Sequence, residues 1–225
     1  MLQPIAVDLK SVSDALADAQ SIAIGFTQAA SEKNEGKAEF NFPANLNLAK
    51  KLEEIFEINL RDELAFFAAT GKAGEIFEIP VSSELFAADR ILLLGLGDES
   101  GSAIRQAGAA LGRKARGKAV TIASLCVSNS AELKAFAISV QLGAYIWTQK
   151  TGATQEIPLF LFVTDTPEVI KAASVIADAI SRTRDLIHTP ANIKTPLWVA
   201  DEAVKIAADT GLEIKVLAGK DLAKF

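Results

Sequence analysis

Residues 90–101 read Arg90-Ile91-Leu92-Leu93-Leu94-Gly95-Leu96-Gly97-Asp98-Glu99-Ser100-Gly101. Arg90 to Leu94 is a short apolar run with no polar residue alternating through it, the pattern of a strand covered on both faces. Gly95-Leu96-Gly97 ends the run, and Ser100 is placed to cap a helix reaching about Arg116. A buried strand that turns directly into a helix is the building unit of an α/β sheet.

The unit recurs downstream. Val120 to Val127 predicts a second buried strand, and Ser130 can cap a helix to about Thr148, with Leu133, Phe136, Ala137, Val140, Ala144 and Trp147 toward the core. Ile157 to Val163 predicts another apolar strand. Thr166-Pro167-Glu168 starts a helix strongly: a capping hydroxyl, proline at the first position, then an acid near the positive end of the dipole. Val169, Ala173, Ile176, Ile180, Thr183 and Ile187 follow at steps of four and three, so this helix should reach about His188, roughly 33 Å at 1.5 Å per residue.

Upstream, Thr70 to Gly74 is a turn and Glu75 to Pro80 a short strand. Leu48, Leu52, Ile55 and Phe56 lie at helical spacing and predict an amphipathic helix over Asn47 to Ile58. Pro4 to Leu9 and Ser21 to Phe26 read as strands, and Ser31 to Lys37 as a polar, mobile loop.

A second stretch, Arg182-Thr183-Arg184-Asp185-Leu186-Ile187-His188-Thr189-Pro190-Ala191-Asn192-Ile193-Lys194-Thr195-Pro196, breaks the long helix. Thr189 and Thr195 precede prolines and are pushed toward extended geometry, and neither proline can continue a helix already begun. Residues 189–195 are therefore predicted to be an ordered, extended crossing. Thr195 can cap a new helix from Pro196 to about Asp209, ended by Gly211. Glu213 to Leu217 then reads as a strand, and Gly219 to Phe225 begins another element.

Half of the 225 residues are hydrophobic, enough for a sizeable core, and 23 basic against 28 acidic residues give a net charge of −5. That balance disfavours a general phosphate-backbone binder. The one cysteine, Cys126, allows no internal disulfide and sits in an apolar run, which suits a buried, inert thiol in a reducing compartment. The N-terminus lacks the basic region and apolar core of a signal peptide, and no apolar run approaches the ~18 residues of a membrane span.

Few residues suggest chemistry. Gly95-Leu96-Gly97 after a buried strand invites a dinucleotide-binding reading, in which glycines let the backbone approach a pyrophosphate. The next glycine, Gly101, falls one residue beyond the usual spacing. Asp98 and Glu99 would face phosphates with like charge, and Val127-Ser128-Asn129 offers no acid for a ribose. A tight strand-to-helix turn accounts for the pattern. His188, the one histidine, would have to serve any triad or histidine metal site, but capping last-turn carbonyls suffices as its role. The carboxylates are dispersed: Glu53 and Glu54 on a solvent face, Asp201 and Glu202 early in the last helix. Lys114, Arg116 and Lys118 form a small basic patch at a helix end, where they suit its dipole. No catalytic, cofactor-binding or metal-ligating residue is assigned.

Together these runs resemble the leucyl (cytosol) aminopeptidases. In that family an Arg-Asp-Leu-(Val/Ile)-Asn run, a Pro-x-Asn and a Thr-Pro join the N-terminal domain to the catalytic one. Arg184-Asp185-Leu186-Ile187, Pro190-Ala191-Asn192 and Thr195-Pro196 are similar, with His188 where the family has Asn. Phe67 with Gly71-Lys72-Ala73-Gly74-Glu75 is similar to the family's Phe … Gly-Lys-x-Gly-Glu turn. Arg90 to Gly97 is similar to its Arg-Val-Leu-Leu-Val-Gly-Leu-Gly strand. Gly143-Ala144-Tyr145 … Lys150 and Val216-Leu217 … Asp221-Leu222 follow in the family's order. The family's metal-binding motifs, resembling Gly-Lys-Gly-x-x-Phe-Asp-x-Gly-Gly and Asn-Thr-Asp-Ala-Glu-Gly-Arg, do not occur.

The α/β pattern together with this resemblance predicts a three-layer sandwich with a mainly parallel central sheet over residues 1–165, a linking helix and connector over 166–195, and the truncated start of a second α/β domain over 196–225. The resemblance implies the non-catalytic, structural part of a cytoplasmic metallo-exopeptidase, a homo-oligomer that is a hexamer in the family. Its two divalent ions, zinc or manganese, would belong to the missing catalytic domain, as would the peptide substrates; neither nucleic acid nor membrane is an expected partner. The rival readings are a stand-alone α/β module binding a nucleotide derivative at the Gly95–Gly101 turn and a dehydrogenase domain using the same turn.

Overall fold

The computed structural model describes residues 2–5, 17–29, 39–43, 46–84, 86–148 and 156–224. The chain divides into two compact units, Met1–Ser181 and Arg182–Phe225.

The first unit is built on β1 (Leu2–Ile5), β2 (Ser21–Gln28), β3 (Phe40–Asn41), β4 (Ile76–Pro80), β5 (Arg90–Gly95), β6 (Thr121–Leu125) and β7 (Leu159–Val163). These seven strands form one sheet in the order β1-β7-β6-β2-β5-β4, with β3 paired to the end of β2. β1, β7, β6, β2 and β5 run parallel, Ile24 standing between Leu93 and Leu125. The exceptions are antiparallel: β4 at the edge and β3, where Thr27 faces Asn41.

Alternate residues of each strand feed two cores. On one face Ile22, Ile24, Phe26, Ile91 and Leu93 meet Leu52 and Phe56 of α1 (Leu46–Phe56) and Leu60 and Leu64 of α2 (Leu60–Phe66). On the other face Ala23, Leu92, Leu94 and Phe160 pack against α3 (Gly101–Ala115), α4 (Ser130–Ala144) and the first half of α5 (Pro167–His188). A helix layer on each face of a mainly parallel sheet is the predicted three-layer sandwich. Each fully buried Leu, Ile or Phe contributes about 1.5–3 kcal/mol to it.

α3 and α4 approach until backbone touches backbone. A Cβ on Gly143 would lie 2.5 Å from the carbonyl oxygen of Ala109, one on Gly108 would lie 2.6 Å from that of Phe136, and one on Gly112 would overlap that of Val140. Here glycine is required by packing, not by its dihedral freedom.

The structure corrects several boundaries. α4 is capped by Asn129, whose side chain accepts from the Ala131 and Glu132 N–H groups, rather than by Ser130. It ends at Ala144, short of Thr148, where Arg116 donates to the Gly143 carbonyl through Nε (3.0 Å) and Nη2 (2.7 Å). α2 was not predicted: Asn59 caps it by accepting from Arg61 and Asp62 N–H, and Asp62 and Glu63 occupy its first turn. β1 covers Leu2–Ile5, so Ala6 to Leu9 of the predicted first strand and the predicted Ser31–Lys37 loop lie outside the described residues. Thr166 does not supply the predicted hydroxyl cap; its hydroxyl sits 2.9 Å from that of Thr164.

The second unit holds the end of α5, α6 (Pro196–Thr210) and a short 3-10 helix (Gly219–Lys224). The helix breaks after His188 as expected, but residues 190–194 turn instead of running extended. The Pro190 carbonyl accepts from Ile193 (3.0 Å) and Lys194 (3.3 Å). The pre-proline restriction acts on Thr189 and Thr195 and leaves 191–193 free to turn. Thr195 caps α6 by accepting from Trp198 N–H, and Gly211 ends it at φ 71°. The predicted strand Glu213–Leu217 is absent: those residues lie in no ladder among the described residues. Their apolar/charged alternation is a local pattern, and a strand exists only when a neighbour supplies its hydrogen bonds.

Candidate functional site

β2 stands at the centre of the sheet with β5 on one side and β6 on the other, so the chain crosses over β2 between them. In open α/β sheets ligands lie outside the carboxyl ends of the strands at such a reversal. A cleft of about 170 Å³ lies there, lined by Leu96, Glu99 and Ile104 on one side and Cys126, Ser128 and Asn129 on the other.

The turn that forms one wall is held by its own chain. Gly95 O accepts from Gly74 N (2.9 Å), Gly95 N donates to Glu75 O (2.8 Å), and Gly97 N donates to Gly71 O (2.9 Å). The Gly71–Glu75 turn is itself closed by the Glu75 carboxylate, which accepts from Thr70 N (3.0 Å) and Gly71 N (2.9 Å). The two runs that looked separate in the sequence are one interlocked unit. Leu96 N reaches back to Phe26 O at 2.9 Å, and a Cβ on Gly25 would lie 2.6 Å from Cys126 O. The close approach these glycines permit is used by protein backbone.

The electrostatics of the cleft are acidic. Asp98 Oδ1 accepts from Ser100 N at 3.0 Å. The Ser100 hydroxyl and N–H hold its carboxyl below the usual aspartate range. Ser100 Oγ accepts from Ala103 N to cap α3. Glu99 adopts φ 57°, and Glu132 closes the far side; no Lys or Arg is among the lining residues. Cys126 is fully buried, and burial pushes its thiol up to about 12, so it stays protonated and unreactive.

At the opposite ends of the strands, a groove of about 490 Å³ holds Glu78, Asp89, Arg90, Lys114 and Lys118. Glu78 pairs with both Arg90 and Lys114, and Asp89 with Arg90. The predicted basic patch is thus divided: Lys114 goes to Glu78, Arg116 caps α4, and Lys118 faces solvent. A third cavity, about 370 Å³ and mostly apolar, lies between the end of α4 and the middle of α5, where Gln141 Nε2 donates to Asp178 Oδ1.

His188 is the exposed last residue of α5. In that last turn Asp185 O accepts from Thr189, and Leu186 O (3.2 Å) and Ile187 O (3.1 Å) accept from Lys194 Nζ. Sequence reasoning missed Lys194 and Glu75. The signal for Lys194 was its place six residues past the helix end, within reach of those carbonyls. Glu53 and Glu54 lie on α1 and Asp201 and Glu202 on α6; no three His, Cys, Asp or Glu side chains converge among the described residues. No helix among them is long and apolar enough to cross a membrane.

Residues 42–149 match the family described as cytosol aminopeptidase family, N-terminal domain. Probable cytosol aminopeptidases are similar in sequence. That of Solibacter usitatus is 34% identical over 67% of this chain and 34% of its own length. That of Geobacter sulfurreducens is 31% identical over 58% and 30%. That of Rickettsia massiliae is 25% identical over 88% and 44%. The chain therefore spans about a third to under half of the length of these curated relatives. Among solved structures, a tomato leucine aminopeptidase variant superposes with TM-score 0.73 at 21% identity, over 100% of this chain and 46% of that one. The bottromycin maturation enzyme BotP does so with TM-score 0.68 at 20% identity, over 92% and 41%. These two show the shared fold. Residues 42–149 thus carry the N-terminal domain of the cytosol aminopeptidase family.

Proposed function

We propose that this chain is the non-catalytic, structural part of a leucyl-aminopeptidase-type metallo-exopeptidase, which removes N-terminal residues from peptides. The observation that carries the reading is the match of residues 42–149 to that family's N-terminal domain. In support, Leu197, Leu212 and Leu222 stand exposed in the second unit, a surface suited to being covered. Peptide binding and two divalent ions, zinc or manganese, would belong to a catalytic portion; BotP, the fold relative, is also known in complex with Mn. Assembly as a hexamer and a cytoplasmic location are part of the same proposal.

The test is hydrolysis of leucine amide by the purified 225-residue chain with zinc or manganese. We expect none. Chelator-sensitive hydrolysis by the chain alone would overturn the reading.

A second reading, a nucleotide derivative bound at the Gly95–Gly101 turn, is favoured by one observation: the cleft lies where the sheet order reverses. Titration with mononucleotides and nicotinamide dinucleotides separates the two. Binding lost on Gly97→Val would favour the second, and no binding favours the first.

A further inference from the structure

The break after α5 creates a demand for hydrogen-bond donors. In a continuing helix Leu186 O would accept from the N–H of the residue four positions on, but that residue is Pro190 and has none. Lys194 meets the demand. Its ammonium donates to Leu186 O at 3.2 Å and to Ile187 O at 3.1 Å, at the negative end of the helix dipole. The turn brings it there: Pro190 O accepts from Ile193 N (3.0 Å) and from Lys194 N itself (3.3 Å). Lys194 is half-buried, and the next residue, Thr195, caps α6. The backbone of Lys194 is thus tied to Pro190 and its side chain to the end of α5, and α6 begins at Pro196.

We propose that Lys194 is the positioning residue of this joint: its charge fixes the direction in which α6 leaves the last turns of α5. Hydrogen bonds from a charged donor are roughly twice as strong as neutral ones, and here two share one ammonium. Another tie between the two helices is weaker. Arg182 Nη2 and Asp209 Oδ2 lie 3.6 Å apart, with side chains 46% and 66% exposed. An exposed pair of this kind contributes little, because water and salt screen it and two long side chains must be held still. Removing the charge at 194 therefore frees α6 to pivot on residues 189–195 with both helices still formed.

The tie is made within residues 186–194 and does not depend on what covers the rest of the second unit. It does not depend on the aminopeptidase reading either. It concerns the geometry of the joint, so loss of one leaves the other standing.

The test places nitroxide labels on the full chain at Thr183→Cys in α5 and Ala208→Cys in α6, both exposed positions, and reads the distribution of distances between them. Cys126 is fully buried and stays unlabelled. With Lys194 in place the distribution should be single and narrow. Lys194→Met keeps the apolar stem and removes the donors, and the single narrow distribution should be lost. Lys194→Arg keeps a charged donor with several N–H groups and should hold it. Arg182→Ala should leave it narrow. Circular dichroism should show the helix content of Lys194→Met unchanged. A distribution for Lys194→Met as narrow as wild type, one for Lys194→Arg as broad as that for Lys194→Met, or a wild-type distribution already broad would each overturn the proposal. Loss of helix in Lys194→Met would overturn it as well, since Lys194 would then support α6 itself rather than aim it.

Discussion

A Cβ placed on Gly95 would overlap the carbonyl oxygen of Lys72. The end of β5 and the Gly71–Glu75 turn are in van der Waals contact through backbone, and three hydrogen bonds between them run at 2.8–2.9 Å. Neither partner can move away without breaking those bonds.

Gly95→Ala should therefore cost at least about 3 kcal/mol of stability, or prevent folding. The control is Gly117→Ala. Gly117 has φ 71°, but its nearest neighbour would be 3.6 Å away, so only the left-handed backbone is penalised, at roughly 1 kcal/mol. Urea unfolding of both variants decides it: equal losses would show that the Lys72 contact is soft.

Ala68 is an exposed, non-glycine residue at φ 51° just past α2, where Ala69 N donates to Leu64 O at 2.9 Å. That position favours glycine. Ala68→Gly should gain about 0.5–1 kcal/mol and raise Tm by about 1–4 °C. An unchanged or lowered Tm in calorimetry would count against the strain.

Glu78 is held below the usual glutamate range by its hydrogen bonds to Lys114 and Arg90. A carboxyl lowered in the folded state stabilises the fold above its unfolded value and loses that contribution as pH falls through its folded one. The chain should thus lose stability in the acid limb below the ordinary glutamate pKa. Glu78→Gln should flatten that limb while leaving stability near neutral pH lower than wild type. Urea midpoints measured from neutral to acid pH test this, and parallel curves for both proteins would refute it.

In dilute solution residues beyond about 190 should be the least protected part of the chain. The unbonded N–H groups of 213–217 should exchange first, and β5 last. Limited proteolysis should cut within 189–195 or the tail and leave a resistant core of about 185 residues. Tail protection equal to that of β5 in a dilute monomer would show that the second unit is stable by itself.

The parts of the fold legible in the sequence were those with local causes. Arg90 to Leu94 announces its burial by composition, and Thr195-Pro196 and Gly211 mark the ends of α6. What failed depended on distant partners or on short windows. α2 is seven residues long, too short to show a period. Glu213 to Leu217 has a strand's alternation, but alternation cannot supply a neighbour. Ser130 and Asn129 are both capping types, and only geometry separates them. Of the candidate site, the sequence marked Gly95 to Gly97 as a tight turn from strand to helix. It could not show that Gly71–Glu75 clasps it, because the clasp joins residues some twenty positions apart.

Cys126 is the chain's one sulfhydryl, and it lies fully buried at the end of the central strands. A thiol reagent cannot reach it while β6 remains packed, and no other thiol competes for the reagent. The protein thereby carries its own chemical clock: the rate at which that single sulfhydryl is labelled reports how often the core opens, without any probe having to be introduced.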